Sequence, residues 1–209
     1  DTGGVFSGAV QDTTAGISVD QAYFTFDLGG TTLMAGKQTI PSAFVDKSDS
    51  TKQGTGVVAL HKVSDALTLA GAHFVNNNIG TVGSVYGSSA TASKDMVGAG
   101  VKVSATDTKT TELIAMGKVA AVDYAVHYNM TDIAALMGGT EADHMFVKVG
   151  ADVSGVKLGF KHATASADSK NGTKWNDSSV TALSASAKVA TASVNATYFT
   201  ADKTGTGLN

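Results

Sequence analysis

Residues 186–199, "SAKVATASVNATYF", alternate small or apolar side chains with polar ones as far as Lys188-Val189, cross Ala190-Thr191, and resume the alternation toward Tyr198 and Phe199. A period of two marks a strand whose two faces meet different surroundings. Two such strands joined through a pair of small residues make a tight hairpin. Four other stretches repeat the pattern: 25–37 ("TFDLGGTTLMAGK"), 60–74 ("LHKVSDALTLAGAHF"), 116–128 ("MGKVAAVDYAVHY") and 150–162 ("GADVSGVKLGFKH"). Each carries a charged residue, then Val or Leu, then a short turn and a fresh strand. Their unequal spacing excludes a solenoid repeat.

The flanking runs sort their side chains by phase. Phe24, Phe26 and Leu28 share one face and Tyr23, Thr25 and Asp27 the other. Met145, Val147, Val149, Ala151 and Val153 oppose Phe146, Lys148, Gly150 and Asp152. Leu183, Ala185, Ala187 and Val189 oppose Ser184, Ser186 and Lys188. Longer polar stretches at 39–54, 129–143 and 164–179 alternate with the short turns. Strands of roughly 8 to 10 residues, short turns at one end, long loops at the other, and one apolar face form the sequence pattern of an all-β, antiparallel transmembrane β-barrel. A strand at 79–87 ("IGTVGSVYG"), outer turns at Asn76–Asn78 and 105–109, and a first strand near Gly4–Gln11 bring the count to about thirteen. Bacterial single-chain barrels have even numbers. The chain is therefore expected to be a single β-barrel domain over 1–209, incomplete at one or both ends, belonging to a barrel of about 16 or 18 strands.

Composition agrees with that reading. Charged residues are 16% of the chain and hydrophobic ones 43%, with 24 glycines and one proline. A water-covered surface usually carries about a quarter charged residues, so something other than charge must cover this one. The short apolar runs at 57–60, 113–116 and 133–137 fall far below the roughly 20 residues of a membrane helix. Net charge is −3, and all 15 basic residues are lysines. Nucleic acid is not an expected partner, because the chain offers no basic field to draw phosphates. With no cysteine, thiol catalysis and cysteine metal sites are excluded.

The stretch 20–44, "DQAYFTFDLGGTTLMAGKQTIPSAF", resembles the second hairpin of general bacterial outer-membrane porins. There an aromatic strand turns through Asp-x-Gly and returns as a Thr-rich strand ending in Gly-Arg-Gln, matched here by Gly36-Lys37-Gln38. The Ala/Thr/Lys character looks most like the major outer membrane protein type. The resemblance implies a homotrimeric barrel in the bacterial outer membrane, in contact with membrane lipid, whose water-filled channel passes ions and small hydrophilic solutes. The family's arginine ladder has no counterpart, since this chain has no arginine. Lys37 falls in phase with Leu33 and Ala35.

If Val and Leu at the turns face lipid, the wall residues follow by phase. They are Lys62, Lys102, Lys118, Lys148, Lys157, Lys161 and Lys188, opposed by Asp27, Glu112, Asp123 and Asp152. A wall with more lysines than acids attracts anions. For Lys62, Lys118 and Lys188 the alternative is a place at the water interface beside the turns. Tyr128, Phe160, Tyr198 and Phe74 are expected at the edges of the outer apolar band. The five histidines lack metal spacing and read as wall or structural residues. No nucleophile motif occurs, so no enzyme, metal or cofactor is expected. The rival reading is a secreted or cell-surface β-rich structural or adhesive protein, which would bury the apolar face between sheets.

Overall fold

Alternating sequences become strands by pairing, and the hairpin turns decide which strands pair. The computed structural model describes residues 21–40, 53–77, 81–82, 101–102, 108–133, 140–169 and 177–204. Its strands are β1 (Ala22–Asp27), β2 (Thr31–Thr39), β3 (Gln53–Lys62), β4 (Thr68–Asn77), β5 (Thr81–Val82), β6 (Val101–Lys102), β7 (Thr108–Val119), β8 (Val122–Ile133), β9 (Thr140–Val153), β10 (Val156–Ser169), β11 (Asp177–Val189) and β12 (Ala192–Thr204). All except β5 and β6 form one ten-stranded antiparallel sheet in the order β1-β2-β3-β4-β7-β8-β9-β10-β11-β12. β1 and β12 are its two edges, and they are not paired with each other.

The five expected hairpins are all present. In β1–β2 and β9–β10 both central residues have positive φ (Gly29 57°, Gly30 85°; Ser154 53°, Gly155 83°), as type I′ turns require. In β7–β8 and β11–β12 only the first central residue does, Ala120 at 53° and Ala190 at 55°. The β3–β4 turn is longer: Val63 N–H and Ser64 N–H both donate to the Leu67 carbonyl, at 3.0 and 3.1 Å.

Three expectations are corrected. The main sheet has ten strands, not thirteen. β4 pairs directly with β7 in the main sheet; of the expected strand at 79–87 the described residues are Thr81–Val82, paired with Val101–Lys102 outside that sheet, and the rest lies outside the described residues. The expected first strand, near Gly4–Gln11, lies outside the described residues. Strands are also longer than expected: β9 and β10 have 14 residues each, extending into the stretches read as loops. Backbone ladders continue through the Thr, Ser, Asp and Glu of these stretches because pairing needs only N–H and C=O groups.

The register staggers steadily across the sheet. A row at right angles to the strands starts at Phe26, beside its turn, runs through Leu33, Ala59, Gly71, Leu113, Tyr128, Met145, Thr164 and Ser179, and ends at Asp202, near the far end of β12. A climb of about eight residues over nine inter-strand steps tilts the strands by roughly 30° from the line of turns, at about 3.3 Å per residue and 4.8 Å per strand. Closed barrels tilt by a similar amount, about 35–45°.

Candidate functional site

The two faces of the sheet differ along its whole width. One is apolar and exposed: Phe24 is 74% and Tyr198 63% exposed, and Leu113, Leu158 and Leu183 lie on the same face. On β8 this face shows Val122, Tyr124, Val126, Tyr128 and Met130 before Asp132. On β9 it shows Val153, Ala151, Val149, Val147 and Met145 before Asp143 and Glu141. Eight residue steps are about 27 Å along the strand, or roughly 23 Å of height at a 30° tilt. The apolar band of an outer-membrane barrel is about 25 Å tall. Near its far edge the Tyr128 hydroxyl donates to Asp143 Oδ1 (3.3 Å). Near the turns the Tyr124 hydroxyl crosses Gly117 to donate to the Ala66 carbonyl (2.9 Å).

Three histidines sit on this apolar face. Each is hydrogen-bonded through Nδ1 to the threonine directly opposite on the next strand: His61 to Thr31 (2.8 Å), His73 to Thr111 (2.8 Å) and His162 to Thr181 (2.9 Å). An imidazole in apolar surroundings needs such a partner. The pairing was not legible in sequence, because the partners lie 19 to 38 residues apart. Lys37 shares the phase of Leu33 and Ala35, as expected, so the arginine-like position of the hairpin falls on the apolar face.

The opposite face carries the candidate site, and it has two zones. Beside the turns, Lys118, Asp123, Lys148, Asp152, Lys157 and Lys188 are exposed and Lys161 half-buried. Lys118 is opposite Asp123, Lys157 opposite Asp152, and Lys148 opposite Lys161. Among the described residues neither Lys118 nor Lys157 closes an ion pair with its opposite acid. Asp152 Oδ1 instead accepts from Gly155 N–H at 3.1 Å. Lys62 belongs to the rim, 2.7 Å from Asp65 in the adjoining turn, where its hydrogen bond and charge hold the Asp65 carboxyl below its ordinary value. Lys102 lies on β6, outside the main sheet.

Away from the turns the same face is closed off. Phe146, Ala163, Ala165, Val180 and Ala182 form one buried cluster, and Ile40, Val58, Ala72 and Phe74 another. Phe74 is thereby corrected from the outer band: it is fully buried on the polar side, in phase with Ala70 and Ala72. Its ring covers Gly56, where the β3–β4 register slips by one residue and a Cβ would strike Phe74 and the His73 carbonyl.

Glu112 also differs from the exposed wall acid expected of it. It is 1% exposed and collects a directed chain of hydrogen bonds. Thr110 meets Thr131 (3.3 Å), Thr131 Oγ1 donates to Asn129 Oδ1 (2.9 Å), and Asn129 Nδ2 donates to Glu112 Oε2 (3.2 Å). His127 Nδ1 donates to Glu112 Oε1 (2.9 Å). Every donor on the chain points toward the carboxylate, which strengthens each bond. The shared phase of Thr110 and Glu112, and of His127, Asn129 and Thr131, was the sequence signal for this network.

No protein-family model matches the sequence, and no curated protein does. Among solved structures the fold is similar to OmpT (in-vitro folded), an outer membrane protein of Vibrio cholerae in its trimer form, at 14% identity and a TM-score of 0.56. The match covers 88% of this chain and 54% of that one, so the chain spans about half the length of this neighbour. The fold is accordingly an all-β antiparallel sheet similar to that of a bacterial outer-membrane β-barrel.

Proposed function

We propose that this chain forms wall of a water-filled channel in a bacterial outer membrane, of the porin kind, through which ions and small hydrophilic solutes diffuse. The observation that carries the reading is the exposed set Asp123, Lys148, Asp152, Lys157 and Lys188 on the face opposite an apolar band of membrane height. Charges there need water, and apolar residues on the other face need lipid. A secreted β-sandwich would bury the apolar face, which here stands exposed. The ten strands are part of a larger closed wall, because an open edge in hydrocarbon leaves backbone N–H and C=O groups unsatisfied. The trimer form of the solved neighbour supports a homotrimer. The protein refolded into detergent and added to a planar bilayer is expected to give stable open channels. Folded, membrane-inserted protein without conductance would overturn the reading.

A further inference from the structure

Charge is distributed unevenly along the strands. Within five residue steps of the turns on β7 to β11, the polar face carries Lys118, Lys148, Lys157, Lys161 and Lys188 against Asp123 and Asp152. The other turns add Lys62 against Asp27 and Asp65, so the turn end of the sheet is net positive. Five steps at about 3.3 Å and a tilt of about 30° reach roughly 14 Å from the turns. Across the middle of the strands the polar face has one carboxylate and no ammonium group among the described residues; the carboxylate is Glu112, 1% exposed. Toward their far ends the strands carry Asp132, Glu141, Asp143, Asp168, Asp177 and Asp202 against Lys109 and Lys203. Pairing between neighbours does not alter net charge. The chain as a whole carries −3, so the excess of lysine at the turn end leaves an excess of acid in the rest.

We propose that the channel rectifies: at low salt it passes more current when the far side is positive than when the voltage is reversed. This rests on the channel reading given above. Wall charge acts on permeating ions over about a Debye length, roughly 10 Å at 0.1 M, and low-dielectric walls focus it. With the far side positive, chloride is driven out of the lysine zone toward the far end, and cations are driven from the far end toward the lysines. The lysines hold the cations back and the far acids hold the chloride back. Ions of both signs therefore collect in the middle, whose one acid is buried, and the current rises. Reversing the voltage draws both away from the middle, and the current falls. Charge spread evenly along the wall would give ion preference without direction.

The test records single channels of the refolded full chain in a planar bilayer, with about 0.1 M potassium chloride on both sides. The side that holds the turns is identified with Thr191→Cys, at the exposed β11–β12 turn, from the side on which a bulky water-soluble maleimide reduces the current. Currents at equal and opposite voltages are expected to differ about twofold, the effect of one net unit charge at about 10 Å in water. They should become equal in about 1 M salt, where the screening length is near 3 Å. Lys118→Gln/Lys157→Gln/Lys188→Gln should bring the ratio toward one at low salt, and Lys118→Arg/Lys157→Arg/Lys188→Arg, which keeps the charge, should preserve it. Folded, membrane-inserted protein without conductance overturns the channel and the proposal together. Open channels with equal currents at low salt overturn the proposal alone. So does the opposite polarity, an asymmetry that survives 1 M salt, or one indifferent to the three lysines.

Discussion

The polar face is a single face by phase, yet its two zones are built differently. Beside the turns, Lys148, Gly150, Asp152, Lys157 and Gly159 stand at or near water, and among the described residues the opposed pairs Lys118–Asp123 and Lys157–Asp152 close no ion pair. Away from the turns, on the same strands, Phe146 and Ala163 are buried, and Glu112, Asn129 and Thr131 satisfy one another. Exposed charges of the first zone, such as Lys118, Lys148 and Lys157, reach water directly, so each can be changed with little effect on the fold. In the second, polar groups are removed from water, and each depends on its partners. Function that needs water and charge belongs in the first zone, and rigidity in the second.

The largest contrast should come from thiol labelling of single-cysteine variants of the lipid-embedded protein. Cysteine at 148 is expected to react with a water-soluble reagent and cysteines at 147 and 149 to remain protected, since their side chains alternate between the faces. Labelling at 147 and 149 but not 148 would exchange the faces and end the comparison.

Next in size is stability. Glu112→Ala strips His127 Nδ1 and Asn129 Nδ2 of their shared acceptor, and should lower unfolding stability in detergent by about 3 kcal/mol. Lys148→Ala, in the open zone, should change it by less than about 0.5 kcal/mol. Similar losses at both positions in urea titrations would erase the distinction between the zones.

Charge reversal sharpens the account of the open zone. The double variant Lys148→Glu/Lys157→Glu should move the reversal potential of the proposed channel toward cation preference at low salt. The shift should shrink in about 1 M salt, where the screening length is near 3 Å. An unchanged potential at low salt would remove these lysines from the proposed channel wall.

Smaller effects are expected at the turns. Ala120 and Ala190 hold a left-handed backbone at a cost of roughly 1–2 kcal/mol per residue. Glycine at either should raise stability by about 1 kcal/mol or less, since glycine also gives the unfolded chain more freedom. The smallest effect belongs to Asp65, whose carboxyl Lys62 holds below its ordinary 3.8. A depressed folded pKa favours the fold above the ordinary carboxylate range, and that contribution fades as pH falls through the lowered value. The pair is exposed, so its trace should appear in an NMR titration of Asp65 that Lys62→Ala returns to normal, with little change in unfolding.

Local patterns by themselves determined the five hairpins, the assignment of Phe24, Val147, Val149 and Leu183 to one face and Lys148, Asp123 and Ser184 to the other, and the apolar band. Turn chemistry and a period of two act over a few residues, so they are written in neighbouring positions. Register and closure act across the sheet, and only the tertiary structure decided what depends on them. That β4 meets β7, and so that the sheet has ten strands, follows from which edges find each other. That His61, His73 and His162 each face a threonine depends on pairings between distant residues. Phe74 and Glu112 are buried while Lys148 and Asp152 stay open, although all four share a face. Phase tells a side chain which way to point, but burial depends on what the rest of the chain brings against it.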